Sequence, residues 1–341
     1  MQLPRIGALP SGPRDAITDV AGVTVGHVTV DDGDEVHTGV TVVRPHGGDP
    51  FRERVPAGFA VLNGFGKSIG LLQVEELGVL ETPIALTNTF SAPAMAAAQI
   101  RQCIAANPEC GRAMPTVNPL VLECNDGYLN DIQRMVVSET DYLRAWSDAG
   151  AAVAQGSVGA GRGMSCFESK GGIGTASRVA DGHTVGVLVL ANFGVLRNLT
   201  VAGDAVGARL ADSDVDKAPE KGSIIMLIAT DAPLDARQLR RLALRAGAGL
   251  ARTGSVFGHG SGDIALAFST AFTLPSQPDA PMPAVALVHD GRLDALFQAV
   301  ADATEQAILH ALWHATAMAG RDGHHRPTLA ERLAASNRRP S

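Results

Sequence analysis

The residues best able to do chemistry are Gly222-Ser223, where a small polar step opens into the apolar run Ile224-Ile225-Met226-Leu227-Ile228. That run reads as a strand buried on both faces. Ahead of it, residues 211–221 are rich in charge and hold Pro219, so they read as an exposed loop. An exposed loop meeting a rigid strand suits a serine that cuts its own chain and then works as an N-terminal nucleophile. Glycine before the serine permits strained backbone angles and leaves its carbonyl open to the hydroxyl. The new α-amino group would have a pKa of about 8, against about 10.4 for a lysine, so part of it is free base at neutral pH. One residue then carries both nucleophile and base. The same local pattern also fits a polar residue that only starts a strand, and the rest of the chain has to decide between the two.

Other polar groups fall at the ends of apolar strands. Glu123, inside the alternation of residues 119–131, needs a cationic partner, and a substrate amine would serve. Asp126 and Asn130 read as an Asn-Asp-Gly turn capping the helix that follows. Asn192 closes the run 184–190 and either aims its amide at a developing oxyanion or begins a turn. Ser261 and Asp263 lie two apart in a glycine-rich entry to the strand 264–269, a spacing that could orient a nearby amine or hydroxyl. Ser261 is also a rival nucleophile, because Gly260-Ser261 repeats the form of Gly222-Ser223. No exposed charged loop precedes it.

Several motifs point elsewhere and do not hold. Asn63-Gly64-Phe65-Gly66-Lys67-Ser68 ends like a phosphate loop, but the first glycine of that motif would have to replace Val61. The glycines between 156 and 174 miss the dinucleotide spacing and read as places where backbones pass close to one another or to a ligand. His310 and His314 are four apart, yet the glutamate of a zinc helix is missing, so we expect no metal and no cofactor. Four cysteines show no Cys-x-x-Cys pair; a thiol nucleophile at Cys124 is less expected than a core cysteine.

The elements that must position these groups are short strands near 23–30, 38–44, 58–63 and 84–89, buried strands at 184–190 and 222–228, and a last strand at 284–289. Helices are expected at 67–77, 92–105, 236–252 and from 293 to about 318, followed by a frayed polar tail from 321. No linker divides the 341 residues, which points to one layered domain of two sheets packed face to face between helices. The chain is 45% apolar, 18% charged and has a net charge of -7. No basic stripe meets nucleic acid, no run reaches a membrane span, and the start has no signal-type core, so a cytoplasmic protein is expected.

Taken together, residues 15–27, 125–132, 191–194, 222–225, 229–234 and 258–263 resemble the DmpA family, the self-cleaving L-aminopeptidase D-amidase/esterases and β-aminopeptidases. The resemblance implies an α+β fold, a four-layer αββα sandwich, cut between Gly222 and Ser223 into an α chain (1–222) and a β chain (223–341) that stay associated. It implies Ser223 as nucleophile, Asn192 in the oxyanion hole, and Glu123 holding the free amino group of a small peptide, amide or ester. Ser261 and Asp263 fall on the pair that orients the nucleophile, with aspartate where the family carries a glutamate. Asn125 stands where relatives carry a larger side chain and would shape the pocket. A homo-oligomer is implied as well. An acyltransferase of the ornithine acetyltransferase type, which uses threonine, and an unprocessed binding protein are the alternatives.

Overall fold

The structure, a computed structural model, describes residues 3–211 and 221–336. Most of the charged loop expected at 211–221, and the last residues of the expected tail, therefore lie outside the described residues. In chain order the long strands are β1 (Thr24–Asp32), β2 (Val36–Arg44), β3 (Glu53–Gly64), β4 (Ile84–Asn88), β5 (Leu120–Cys124), β6 (Gly172–Ala180), β7 (His183–Asn192), β8 (Lys221–Thr230) and β9 (Gly260–Ser269). The helices that pack on them are α1 (Leu71–Leu77), α2 (Ala92–Ala106), α3 (Glu139–Ser147), α4 (Ala236–Arg252), α5 (Leu293–Trp313) and α6 (Leu329–Ser336). One sheet runs β1-β2-β4-β5 and the other β3-β9-β8-β7-β6, with β4–β5 and β8–β9 as parallel neighbours.

Side-chain alternation along β8 explains how the layers stack. Ile224, Met226 and Ile228 join Leu239, Leu242 and Ala246 of α4 and Val300 and Ile308 of α5 in one core. Ile225 and Leu227 point the other way, into a second core with Leu86, Leu120 and Leu122 of the opposite sheet. A third core joins Val40, Val42 and Val121 to Met95 of α2 and Tyr142 of α3. Each buried aliphatic side chain is worth about 1.5–3 kcal/mol relative to exposure, so β8, apolar on both faces, anchors the molecule. α4 starts at a capping box: Asp235 accepts the Gln238 N–H at 2.7 Å, and the Gln238 side chain accepts the Asp235 N–H at 3.2 Å.

The structure departs from the sequence reading in identifiable places. β6 was hidden by its glycines, which depress strand character but let α5 close in: a Cβ at Gly174 would lie 1.9 Å from the Ala307 carbonyl oxygen. Residues 284–289 form no strand; the outer edge of β3 is taken by Leu274–Pro275, and the Val288 N–H goes to the Pro233 carbonyl at 3.0 Å. α5 ends at Trp313, short of 318, because Met318–Ala319 turns away to pair with His325–Arg326. The tail is consequently not frayed over its described part: the second strand of that hairpin and α6 follow Arg321, and Leu329 is buried in the α4–α5 core.

Candidate active site

Three neighbouring strands bring the predicted reactive residues together. In antiparallel β7–β8 the register sets Asn192 opposite Ser223; in parallel β8–β9 it sets Gly222, Ser223 and Ile224 beside Ser261, Gly262 and Asp263. Ser223 takes the face of Ile225 and Leu227, toward the space between the sheets, because strand side chains alternate. There it opens into a cavity of about 770 Å³ that is also lined by Glu123, Asn125, Asn192 and Gly222. Ser223 is only 6% exposed, and its Oγ accepts the Gly262 N–H at 3.1 Å, leaving the hydroxyl hydrogen available to donate.

The residue before the serine has to be glycine. Gly222 has φ 128°, and a Cβ there would meet the Asn192 carbonyl oxygen at 2.0 Å. Both the backbone angle and the strand contact exclude a side chain. The 222–223 peptide bond thus sits in a conformation that β7 and β9 impose from either side.

Asn192 is oriented by two backbone groups. Its Oδ1 accepts the Ser165 N–H at 2.8 Å, which turns Nδ2 toward the Asn125 carbonyl at 2.9 Å. That bond uses one of the two amide hydrogens, and the second is left for the cavity. Asn125 enters the site mainly through this carbonyl, since its side chain accepts the Gly127 N–H at 2.8 Å in a local turn.

Ser261 and Asp263 are brought together but stand behind the cavity rather than in it. Both are fully buried, and the Ser261 hydroxyl donates to Asp263 Oδ1 at 2.5 Å, so the shorter acid reaches its serine. By register they share the face of Ile224, opposite the Ser223 side chain, and flank the 222–223 peptide from β9. A nucleophile at Ser261 is disfavoured by this geometry: its hydroxyl is enclosed and already committed to Asp263.

Glu123 is 3% exposed at the C-terminal end of β5, beside its parallel neighbour β4. Its Oε1 accepts the Lys67 N–H at 2.7 Å and its Oε2 accepts the Thr89 hydroxyl. Among the described residues Glu123 makes no ion pair, and the ammonium of Lys67 in the same lining rests over the Phe65 ring, so a nearly buried carboxylate faces the cavity with hydrogen bonds but without a paired counter-charge. The wall farther along carries Tyr128, Glu168, Arg321 and Arg326, which the sequence reading did not single out. Thr89, Ser165 and the Lys67 amide were missed too. They act through a hydroxyl next to a strand end or through backbone N–H groups, and neither leaves a side-chain motif.

Other candidates are accounted for differently. Asp126 does not cap a helix: it is fully buried and accepts Thr38 Oγ1–H at 2.6 Å and Asn130 Nδ2–H at 2.9 Å, and burial pushes its carboxyl up to about 7. The following 3-10 turn is capped by Asp131 instead. Lys170, also fully buried, donates to the carbonyls of Gly161, Met164 and Gly171 at 2.9–3.0 Å, while burial lowers its pKa to about 7. Cys124 is buried and held well above the usual thiol range by that burial, which makes it a poor thiolate. His310 spends its ring on the Thr175 carbonyl at 2.6 Å and on Gln306 at 3.2 Å, as a core histidine does.

Comparison with known proteins agrees over nearly the whole chain. The model of Peptidase family S58 matches residues 15–326. The chain is 40% identical to the β-peptidyl aminopeptidase BapA of Sphingosinicella microcystinivorans, over 92% of this chain and 85% of that protein. Among solved structures, a β-aminopeptidase of Burkholderia sp. superposes with a TM-score of 0.90 at 42% identity, covering 98% of both chains. The L-aminopeptidase D-Ala-esterase/amidase of Ochrobactrum anthropi, described as a variant of the Ntn hydrolase fold, superposes with a TM-score of 0.89 at 36% identity, covering 98% of this chain and 96% of that one.

Proposed function

The chain belongs to peptidase family S58, the family of DmpA and the β-aminopeptidases, and from that premise we propose that it is a serine aminopeptidase/amidase whose nucleophile is Ser223. The observation that carries this reading is the three-strand register: Asn192 and Gly262 flank Ser223, and Gly222 is held at φ 128°. In the first step Ser223 Oγ attacks the Gly222 carbonyl, the peptide becomes an ester, and water releases the α chain (1–222) from the β chain (223–341). The freed α-amino group then serves as base. In turnover, Ser223 attacks the carbonyl of a small peptide, amide or ester. The second amide hydrogen of Asn192 meets the developing oxyanion, as such donors do in acyl transfer.

Glu123, lacking a paired counter-charge, takes the substrate's free amino group. Ser261 and Asp263 hold the new amine of Ser223 from β9. The fold in this reading is the four-layer αββα sandwich, which the three separate cores support. Free, buried cysteines suit a reducing cytoplasm, and a homo-oligomer rests on the family likeness.

Intact mass under denaturing conditions tests the first step. Cutting before Ser223 splits 35.2 kDa into pieces of about 23 and 12 kDa, and Ser223→Ala should abolish both. A single uncut chain after long incubation, or a cut elsewhere, would overturn the scheme.

A further inference from the structure

The outer wall of the cavity carries a cation with nothing to hold. Arg326 stands in the hairpin strand His325–Arg326, and its guanidinium carbon lies 3.7 Å from the centre of the Tyr128 ring. A ring face attracts a cation but accepts none of its N–H groups in a normal hydrogen bond. Among the described residues no acceptor takes any Arg326 side-chain N–H, and its Nε is sealed from solvent without a partner. The charges around it are otherwise occupied. Glu168 accepts the Leu196 N–H at 3.2 Å and makes no ion pair with Arg326, while Arg332 donates to Ser169 and to the Glu168 carbonyl. Arg321 gives its Nε–H to the Gly127 carbonyl at 2.6 Å and pairs with Asp322.

A shielded guanidinium with empty donors is complementary to a planar anion that can take two parallel N–H bonds, and a carboxylate fits that description. The same cavity has an unmatched carboxylate, Glu123, in its lining. A molecule that met both would carry an amine at one end and a carboxylate at the other. The cavity's 770 Å³ falls within the range of small-molecule sites, and each extended residue spans only about 3.3–3.6 Å.

We propose that Arg326 is a specificity residue that receives the C-terminal carboxylate of the substrate, which makes this site selective for short peptides with both ends free. The proposal rests on the aminopeptidase reading for the direction of the substrate, with its amine at Glu123. It goes beyond that reading in naming the substrate class: dipeptides and close analogues, ahead of the same peptides capped as amides.

Binding can be measured apart from turnover, since the cavity exists with the 222–223 bond intact. In a Ser223→Ala background, calorimetric titration with β-alanyl-alanine and with its C-terminal amide should show the acid binding about 10- to 100-fold more tightly. Adding Arg326→Met should bring the ratio near one. Arg326→Lys, which keeps the charge but loses the planar fork, should retain part of it and guards against a Met variant that merely misfolds. Equal affinity for the two peptides, no binding of the acid, or a ratio that survives Arg326→Met would overturn the proposal. Turnover by the processed enzyme separates the two ideas: hydrolysis of acid and amide with equal kcat/KM sinks the carboxylate subsite and leaves the aminopeptidase standing. Binding selectivity with no hydrolysis of either peptide does the reverse.

Discussion

The inner and outer ends of the cavity are built by opposite rules. At the inner end, Ser223 and Asn192 come from the middle strands of one sheet, are 6% and 7% exposed, and are each tied to a backbone group. At the outer end, Tyr128 comes from a loop, Arg321 from a short 3-10 turn and Arg326 from a two-residue strand, and the Arg326 side chain is tied to nothing but a ring face. Strand register fixes atoms to the tolerance that bond making requires. Loops can change with what they bind while the sheet beneath stays put. The contrast teaches that reaction type should be robust here and substrate choice adjustable.

That contrast can be broken most sharply at the inner end. Ser223→Ala should leave one uncut chain and reduce hydrolysis by roughly 10⁴-fold or more, read by denaturing mass and by peptide turnover. Asn192→Ala, made in processed protein, should lower kcat about 10²- to 10³-fold while KM moves far less. A change carried mainly by KM would mean that Asn192 binds substrate and does not stabilise an oxyanion. Glu123→Gln removes charge without removing volume and should raise KM for amine-ended substrates about 10- to 100-fold. Loss through kcat alone would reassign Glu123 to the inner end.

The smallest effect is a control that should touch both ends alike. His27 bonds Thr41 at 2.9 Å, and burial lowers its pKa from 6.5 to about 4. Between those values the unfolded chain binds a proton that the folded one refuses, so stability falls as pH drops from 6.5 toward 4. The loss should reach about 2–3 kcal/mol, seen as a lower urea midpoint at pH 4.5 than at pH 7, and His27→Gln should flatten it. An unchanged slope in the variant would place the acid sensitivity elsewhere.

How much of this was legible in the sequence follows the same division. Strand ends were readable because an apolar run that stops at Glu123 or Asn192, or starts just after Ser223, announces where a polar group can reach open space, and the structure brings those three into one cavity. Ser261 and Asp263 were readable as a pair, but the register that sets them behind the 222–223 peptide is a tertiary fact. Arg326 was invisible because it sits in a charged stretch whose order depends on pairing with Met318–Ala319. The amides of Lys67, Ser165 and Gly262 were invisible for another reason: every residue type but proline has one. Residues 284–289 misled because local alternation cannot tell whether a sheet edge is vacant.

The position of the 222–223 bond inside a paired strand has one more consequence. β7 and β9 grip β8 from both sides along its length, so a cut at Ser223 severs the chain without opening the sheet. Under native conditions the two pieces of a chain cut there would remain one body. Refolding, however, changes its order: a single chain reassembles independently of concentration, whereas two separated pieces must first find each other. A processed molecule that is once unfolded therefore has no unimolecular way back, and its working life is governed by how slowly it opens rather than by an equilibrium it can re-enter. A cut at that bond, if made as proposed, would act as a ratchet, set after folding and never released.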